Sequence, residues 1–269
     1  MPDMLPASPA INQGDGDAAD GWTIMISLGS IVKAAVVAGL IAGVVTAGFH
    51  WLLIEPVIER AIALEELQQQ GPGTAEQEPV IDRPTQRWGL LLGMLLFGAV
   101  WGLLFSQLYY WTQTWWAASW PTWTQTLLLA LLMGWSVSIF PFAKYPANPP
   151  GIGEPDTIGY RQALYFGFIG LSIVGSALAV GLYRVLHRPG QVSARGRLRW
   201  AYALGLYVMY AIVVYVAMPP NPDPIGMPGE LVWTFRAISL AGLLLFWGIL
   251  GGAFGWLFSE NRRPALAAR

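Results

Sequence analysis

The chain has 269 residues, of which 55% are hydrophobic and only 12% charged, with a formal net charge of -1 and no cysteine. A soluble domain carries roughly 25% charged residues, so half that share cannot clothe a water-exposed surface, and much of this surface must face lipid. Disulfides, zinc–thiolate centres and cysteine nucleophiles are excluded, and the near-neutral charge argues against nucleic acid as a partner.

The predicted fold class is all-α: a polytopic membrane helix bundle of about six transmembrane helices, or five if one segment is re-entrant. Residues 1–21 carry Asp3, Asp15, Asp17 and Asp20 with neither Lys nor Arg. A secretory leader begins with positive charge, so this segment is expected to be a disordered acidic tail. The bundle is expected over 22–260, followed by a short basic tail over 261–269.

A spanning helix needs about 20 mostly apolar residues. Windows 34–54, 162–183, 200–218 and 237–259 reach that length without Asp, Glu, Lys or Arg. The stretch 88–143 is also free of them and is far too long for one crossing. It must turn back near 111–123, where Trp111, Trp115, Trp116, Trp120 and Trp123 crowd around Pro121, because tryptophan gathers at the membrane–water interface. Helix 2 is therefore expected near 88–110 and helix 3 near 123–142.

Arginine distribution sets the expected orientation. Arg184, Arg188, Arg195, Arg197 and Arg199 follow helix 4, and Arg262, Arg263 and Arg269 close the chain. The positive-inside rule puts both groups, and with six helices both termini, in the cytoplasm. The opposite face then holds the helix 1–2 connection, residues 144–161 and residues 219–230, where acidic groups outnumber basic ones. Such a vestibule concentrates cations; acidic residues also collect outside merely because they are neutral to topology.

Small residues recur four apart: Ala35, Gly39, Gly43 and Ala47 in helix 1, Gly89/Gly93 and Gly98/Gly102 in helix 2, Gly248/Gly252 and Gly251/Gly255 in helix 6. In lipid these spacings mark helix-packing faces.

After helix 1 the sequence runs from His50 through Glu55, Pro56, Glu59, Arg60, Glu65 and Glu66. Helical spacing aligns Glu55, Glu59 and Glu66, and Pro56 can start a helix but not continue one undisturbed. Carboxylates at a membrane boundary, with a histidine nearby, suit a divalent cation. The expected metal site is Glu55 and Glu59, with His50 as a third ligand and Asp156 as a weaker candidate. The competing structural reading is an interfacial amphipathic helix in which Glu59 pairs with a base such as Arg87 and Arg60 pairs locally. Two loops rich in proline, 140–161 and 218–230, are stiff rather than floppy and are expected on one face. In the first, Asp156 is expected to cap the next helix, and Lys144 and Arg161 to pair with Glu154 or Asp156.

No P-loop, Gly-x-Ser-x-Gly, His-Glu-x-x-His or dinucleotide fingerprint is present, so the chain is not expected to be an enzyme. Ionisable groups within the spans are limited to Lys33 and His50 near the ends of helix 1. Proton-driven transporters usually carry carboxylates in mid-membrane.

Four stretches resemble the CbtA family of probable cobalt transporter subunits: residues 55–66, 86–93, 142–159 with its Lys-Tyr-Pro-Ala-Asn-Pro-Pro run, and 233–236 entering the last helix. The resemblance extends over about 28–258. It implies a prokaryotic inner-membrane permease subunit for cobalt or a similar divalent ion, with Co²⁺ as transported ion and no permanently bound cofactor. It also implies a small His-rich, single-span partner (CbtB-like), which would account for the absence of a histidine cluster here. The family is usually described with five spans, one fewer than counted from the residues. The remaining partners expected are the lipid bilayer and, as an open question, further copies of the chain. A non-transporting scaffold is the alternative function, and a lipid-acting enzyme the least supported.

Overall fold

The computed structural model describes residues 28–69, 82–116, 120–186 and 194–260. The expected acidic and basic tails, Glu76, Glu78, His187 and Arg188 lie outside the described residues.

Every described element is helical: α1 (Leu28–Leu53), α2 (Glu55–Gln69), α3 (Arg83–Thr112), α4 (Thr122–Gly134), a π turn (Trp135–Ile139), α5 (Phe140–Lys144), α6 (Ile158–Leu186), α7 (Ala194–Ala217) and α8 (Gly229–Glu260). Among the described residues, six segments are long and apolar enough to cross a membrane. The count matches the reading from the residues and exceeds by one the number the resemblance implied. In the stretch expected to turn back, α3 ends in a 3-10 turn, Gln113–Trp115, and a second span runs over Thr122–Lys144, made of α4, the π turn and α5. Trp111, Trp120 and Trp123 are exposed around it, as interfacial side chains should be. The observed α3 begins earlier than expected, at Arg83, because a polar turn carrying Arg83 and Arg87, with Pro84 in the first turn where proline is tolerated, precedes the apolar run.

Four spans form a row in the order α3, α1, α8, α4. The row is held by backbone-to-backbone approach. A Cβ on Gly98 would overlap the Gly39 carbonyl, one on Gly102 the Ala35 carbonyl, and one on Gly43 the Met94 carbonyl. Across the α4–α8 contact, Gly251 and Gly255 admit Thr126 and Trp123, and Thr126 Oγ1 donates to the Gly251 carbonyl at 2.9 Å. A Cβ on Gly89, Gly93, Gly248 or Gly252 would meet nothing among the described residues, so two of the four predicted glycine pairs mark no close approach there. Aromatic rings fill the space between α3 and α8, with Tyr109 and Phe254 centred 4.9 Å apart and Trp101 and Trp247 5.1 Å apart.

The α6–α7 pair sits against the π turn and α5 rather than against the whole row. The π turn has a local cause. Pro141 has no N–H to donate, and the preceding Phe140 N–H reaches back five residues to the Trp135 carbonyl. Buried Ser138 accepts from Trp247 Nε1 at 3.1 Å, tying the turn to α8. Phe140 packs against Phe168 of α6, with ring centres 4.9 Å apart.

Candidate functional site

Alternation of the spans brings the start of α2, the N-terminal ends of α3, α6 and α8, and both proline-rich loops to one end of the bundle. α1 ends at Leu53, Ile54 makes a single turn residue, and α2 begins at Glu55 with Pro56 in its second position. This break is the one Pro56 demands, since its ring tolerates the first turn of a helix and not the interior.

Glu55 and Glu59 are brought together, and both are held by arginines of α3. Glu55 Oε1 accepts from Arg83 at 2.7 Å and from Arg87 Nε at 2.9 Å, while Glu59 Oε1 accepts from Arg87 at 2.6 Å. The two carboxylates differ in access: the Glu55 side chain is 11% exposed and that of Glu59 52%. A buried carboxylate with two guanidinium partners is an anchor. A half-exposed one with a single partner can exchange it. Arg60 is exposed, and none of the described ion pairs involves it.

His50 does not join them. Its Nε2 faces Gly242 of α8, where an added Cβ would collide with it. Asp156 is exposed in a one-turn 3-10 helix, Pro155–Thr157, ahead of α6, where it is the Thr157 hydroxyl that bonds back to the Glu154 carbonyl. No group of three or more His, Cys, Asp or Glu positioned to hold a metal ion occurs among the described residues.

Beside α2 the two proline-rich loops meet. Asp223, whose side chain is 1% exposed, is the residue that joins them. Thr157 Oγ1 donates to Asp223 Oδ1 at 2.8 Å, and Arg161 Nε lies 2.9 Å from Oδ2 in a charge contact angled off the line of a hydrogen bond. Arg161 thus pairs with Asp223 and with the Glu154 backbone carbonyl rather than with the carboxylates of Glu154 or Asp156. Lys144 likewise turns to the Tyr215 carbonyl at 2.8 Å, its ammonium over the Tyr215 ring. Tyr145 donates to the Pro219 carbonyl at 2.6 Å. Burial, and secondarily the nearby Tyr160, push the Tyr145 phenol above its ordinary range. Arg236 of α8 donates to Asn148 Oδ1 at 2.7 Å. Gly151, at φ 82, lies where a side chain would meet Glu65 of α2 and Met227 of the second loop; that positive φ suits glycine. The loops and α6 enclose a cleft of about 230 Å³ lined by Tyr145, Asn148, Arg161, Tyr165 and Asn221 among others.

The sequence puts both loops on one face, offers the Glu59–Arg87 pair only as the competing structural reading of a metal site, and gives no role to Asp223 or Arg236. The available signal was modest: Asp223 is the one carboxylate in a proline-flanked run, Asn-Pro-Asp-Pro, at 221–224.

Six apolar spans capped at one end by paired charges define a multi-pass integral membrane protein. The chain belongs to the CbtA family, described as probable cobalt transporter subunits, with the match running over residues 28–259. Searches of curated proteins and of solved structures gave no match.

Proposed function

We propose that the chain is the multi-span permease subunit for uptake of cobalt or a similar divalent metal ion, acting with a small His-rich single-span partner in a prokaryotic inner membrane. The observation that carries this reading is membership of a transporter-subunit family over residues 28–259, all six spans included. The charged cap supports it. In the orientation favoured by Arg184, Arg199 and the C-terminal arginines, the cap faces outward and both termini lie in the cytoplasm.

Within the cap, Glu59 is the carboxylate that meets the ion, exchanging Arg87 for metal, and exposed Asp156 adds attraction at the rim. Glu55 holds α2 on α3 and is the less accessible of the pair. Carboxylates at the bilayer edge replace part of the hydration a dication must shed before leaving water. The chain itself carries no reaction in this reading.

Cell-associated cobalt uptake, measured with and without the chain and its partner, is the decisive experiment. Glu59→Gln should reach the membrane in normal amounts and take up cobalt more slowly at low metal. Glu55→Gln should chiefly reduce the amount of folded protein. Wild-type uptake by both variants at normal abundance would remove the carboxylates from the path. Uptake indifferent to the chain itself would favour a scaffold, a reading supported by the arginine partners that already satisfy both carboxylates. Orientation is read separately. The chain has no cysteine, so Asn148→Cys and Asn221→Cys should each label from outside with an impermeant reagent.

A further inference from the structure

The cleft between the two proline-rich loops and α6 is lined by side chains that hold more spare donors than spare acceptors. Arg236 donates to Asn148 Oδ1, and the Asp223 backbone N–H donates to Asn221 Oδ1. A guanidinium and a peptide N–H can only donate, so each amide spends its oxygen on the protein and is left with its NH₂ end. Neither NH₂ group meets an acceptor among the described residues, and neither does the Tyr165 hydroxyl. Of the five N–H groups on a guanidinium, Arg161 commits one to a hydrogen bond, with the Glu154 carbonyl, while its Nε meets Asp223 only as a charge. Tyr145 spends its proton on the Pro219 carbonyl. Charge points the same way. Lys144, Arg161 and Arg236 stand around the loops, and among the described ion pairs Asp223 is the one carboxylate that meets any of them. Arg236 Nε is buried with no hydrogen-bond partner there, although buried charge is ordinarily paired. Glu154 and Asp156 are exposed and form no part of the lining.

We propose that this cleft binds a small oxyanion, a carboxylate or phosphate group, through the NH₂ groups of Asn148 and Asn221, the Tyr165 hydroxyl and the Arg161 guanidinium. Such a group brings acceptors only, which is what the lining lacks, and hydrogen bonds between cationic or amide donors and an oxyanion are the strong ones. Arg236 acts through Asn148. By drawing on Oδ1 it polarises the amide and strengthens the opposite NH₂ as a donor, so its charge reaches the anion without contact. Leu164, buried in the cleft wall, keeps that side dry. The volume of about 230 Å³ lies below the roughly 300–1,000 Å³ of sites for drug-sized ligands, so the guest is a small acid or a head group. The outer cap then carries attraction of both signs, with Glu59 exposed to cations on α2 and the cleft open to anions beside it. The site stands independently of what the spans carry.

The test uses the purified full chain in neutral detergent, titrated with citrate and with inorganic phosphate at constant ionic strength, with chloride as control. The midpoint of thermal unfolding should rise with the oxyanion and follow its saturation, as for a ligand that binds the folded state alone, and should ignore chloride. Asn148→Asp and Asn221→Asp keep the acceptor that Arg236 and the Asp223 N–H use, remove the spare donor and add a negative charge. Each should weaken binding about tenfold or more, the scale of a hydrogen bond to a charged group. Asn148→Asp, facing Arg236, should unfold no earlier than wild type without ligand. Tyr165→Phe should weaken binding about threefold, the scale of one neutral hydrogen bond. The source of the anion is read in vesicles of phosphatidylcholine and phosphatidylglycerol. Phosphatidylglycerol retained on re-extraction by wild type and lost from Asn148→Asp identifies a lipid phosphate; a response to citrate or phosphate without that retention identifies a soluble anion. No response to either anion together with no retention by wild type would overturn the proposal, and so would undiminished binding in both aspartate variants. If neither aspartate variant folds, Tyr165→Phe decides, and binding equal to wild type overturns the site. None of these readouts involves cobalt, so they separate the fate of the cleft from that of the permease reading.

Discussion

The four-span row and the α6–α7 pair are built on different principles. In the row, backbones touch at Gly39–Gly98, Ala35–Gly102 and Gly43–Met94. In the pair, the contact is a ring on a glycine: Tyr210 covers Gly175, and its hydroxyl donates to the Leu171 carbonyl at 2.9 Å. Gly159, Gly167, Gly170 and Gly181 of α6 have nothing against them. In lipid there is no hydrophobic drive between helices, so close backbone approach and interhelical hydrogen bonds supply the cohesion. The row has both. The pair is joined to it by the π turn, by Phe140 on Phe168, and by the charged cap. The difference marks the row as the rigid body and the pair as the part whose seat depends on the cap.

The largest expected effect breaks the row. Gly98→Val would drive a branched side chain into the Gly39 carbonyl and should cost about 3 kcal/mol. In matched SDS or urea unfolding, Gly170→Val on α6 should stay within about 0.5 kcal/mol of wild type. Equal losses would mean that the two regions are not different in kind.

An intermediate effect is expected at the cap. Asp223→Asn keeps the shape and removes the charge that Arg161 faces, and should cost about 2 kcal/mol, the scale of a hydrogen bond to a charged group. It should also raise the labelling rate of a cysteine at Asn221 while leaving one placed in the row unchanged. The smallest effect is Thr126→Val, which deletes the bond to the Gly251 carbonyl. Single interhelical bonds in membranes average about 0.6 kcal/mol, and a loss well above that would show the α4–α8 contact to be more polar in origin than its glycines suggest.

The spans were legible in the sequence because lipid imposes a simple rule on them: a long apolar run, tryptophan at the boundary, few charges. The turn after α3 could be placed from five tryptophans around one proline. Which small residues would pack could not. Gly89/Gly93 and Gly98/Gly102 have identical spacing on one helix, and only the depth at which α1 crosses α3 separates the contacting pair from the open one. The candidate site divides in the same way. The break at Pro56 and the alignment of Glu55 with Glu59 follow from local geometry. The partners of Glu55 lie 28 and 32 residues away, and Thr157 meets Asp223 across 66, distances over which no spacing rule reaches. His50 lies about 140° round the helix from Glu55 by spacing alone, and the structure keeps it on its own face, against α8. The π turn was missed although its cause, Pro141 within an apolar run, was in plain view.

That turn has a consequence for angular register. A single π turn accommodates one residue more than an α-helix would over the same rise, and each residue of an α-helix advances by about 100°. Everything beyond Ile139 is therefore rotated by roughly that angle relative to an uninterrupted α4. The rotation delivers Phe140 to Phe168 and the Tyr145 hydroxyl to Pro219 while Ser138 stays under Trp247. One surplus residue thus lets a single span present one face to the row and a different face to the α6–α7 pair, making α4–α5 the coupling rod between the two bodies.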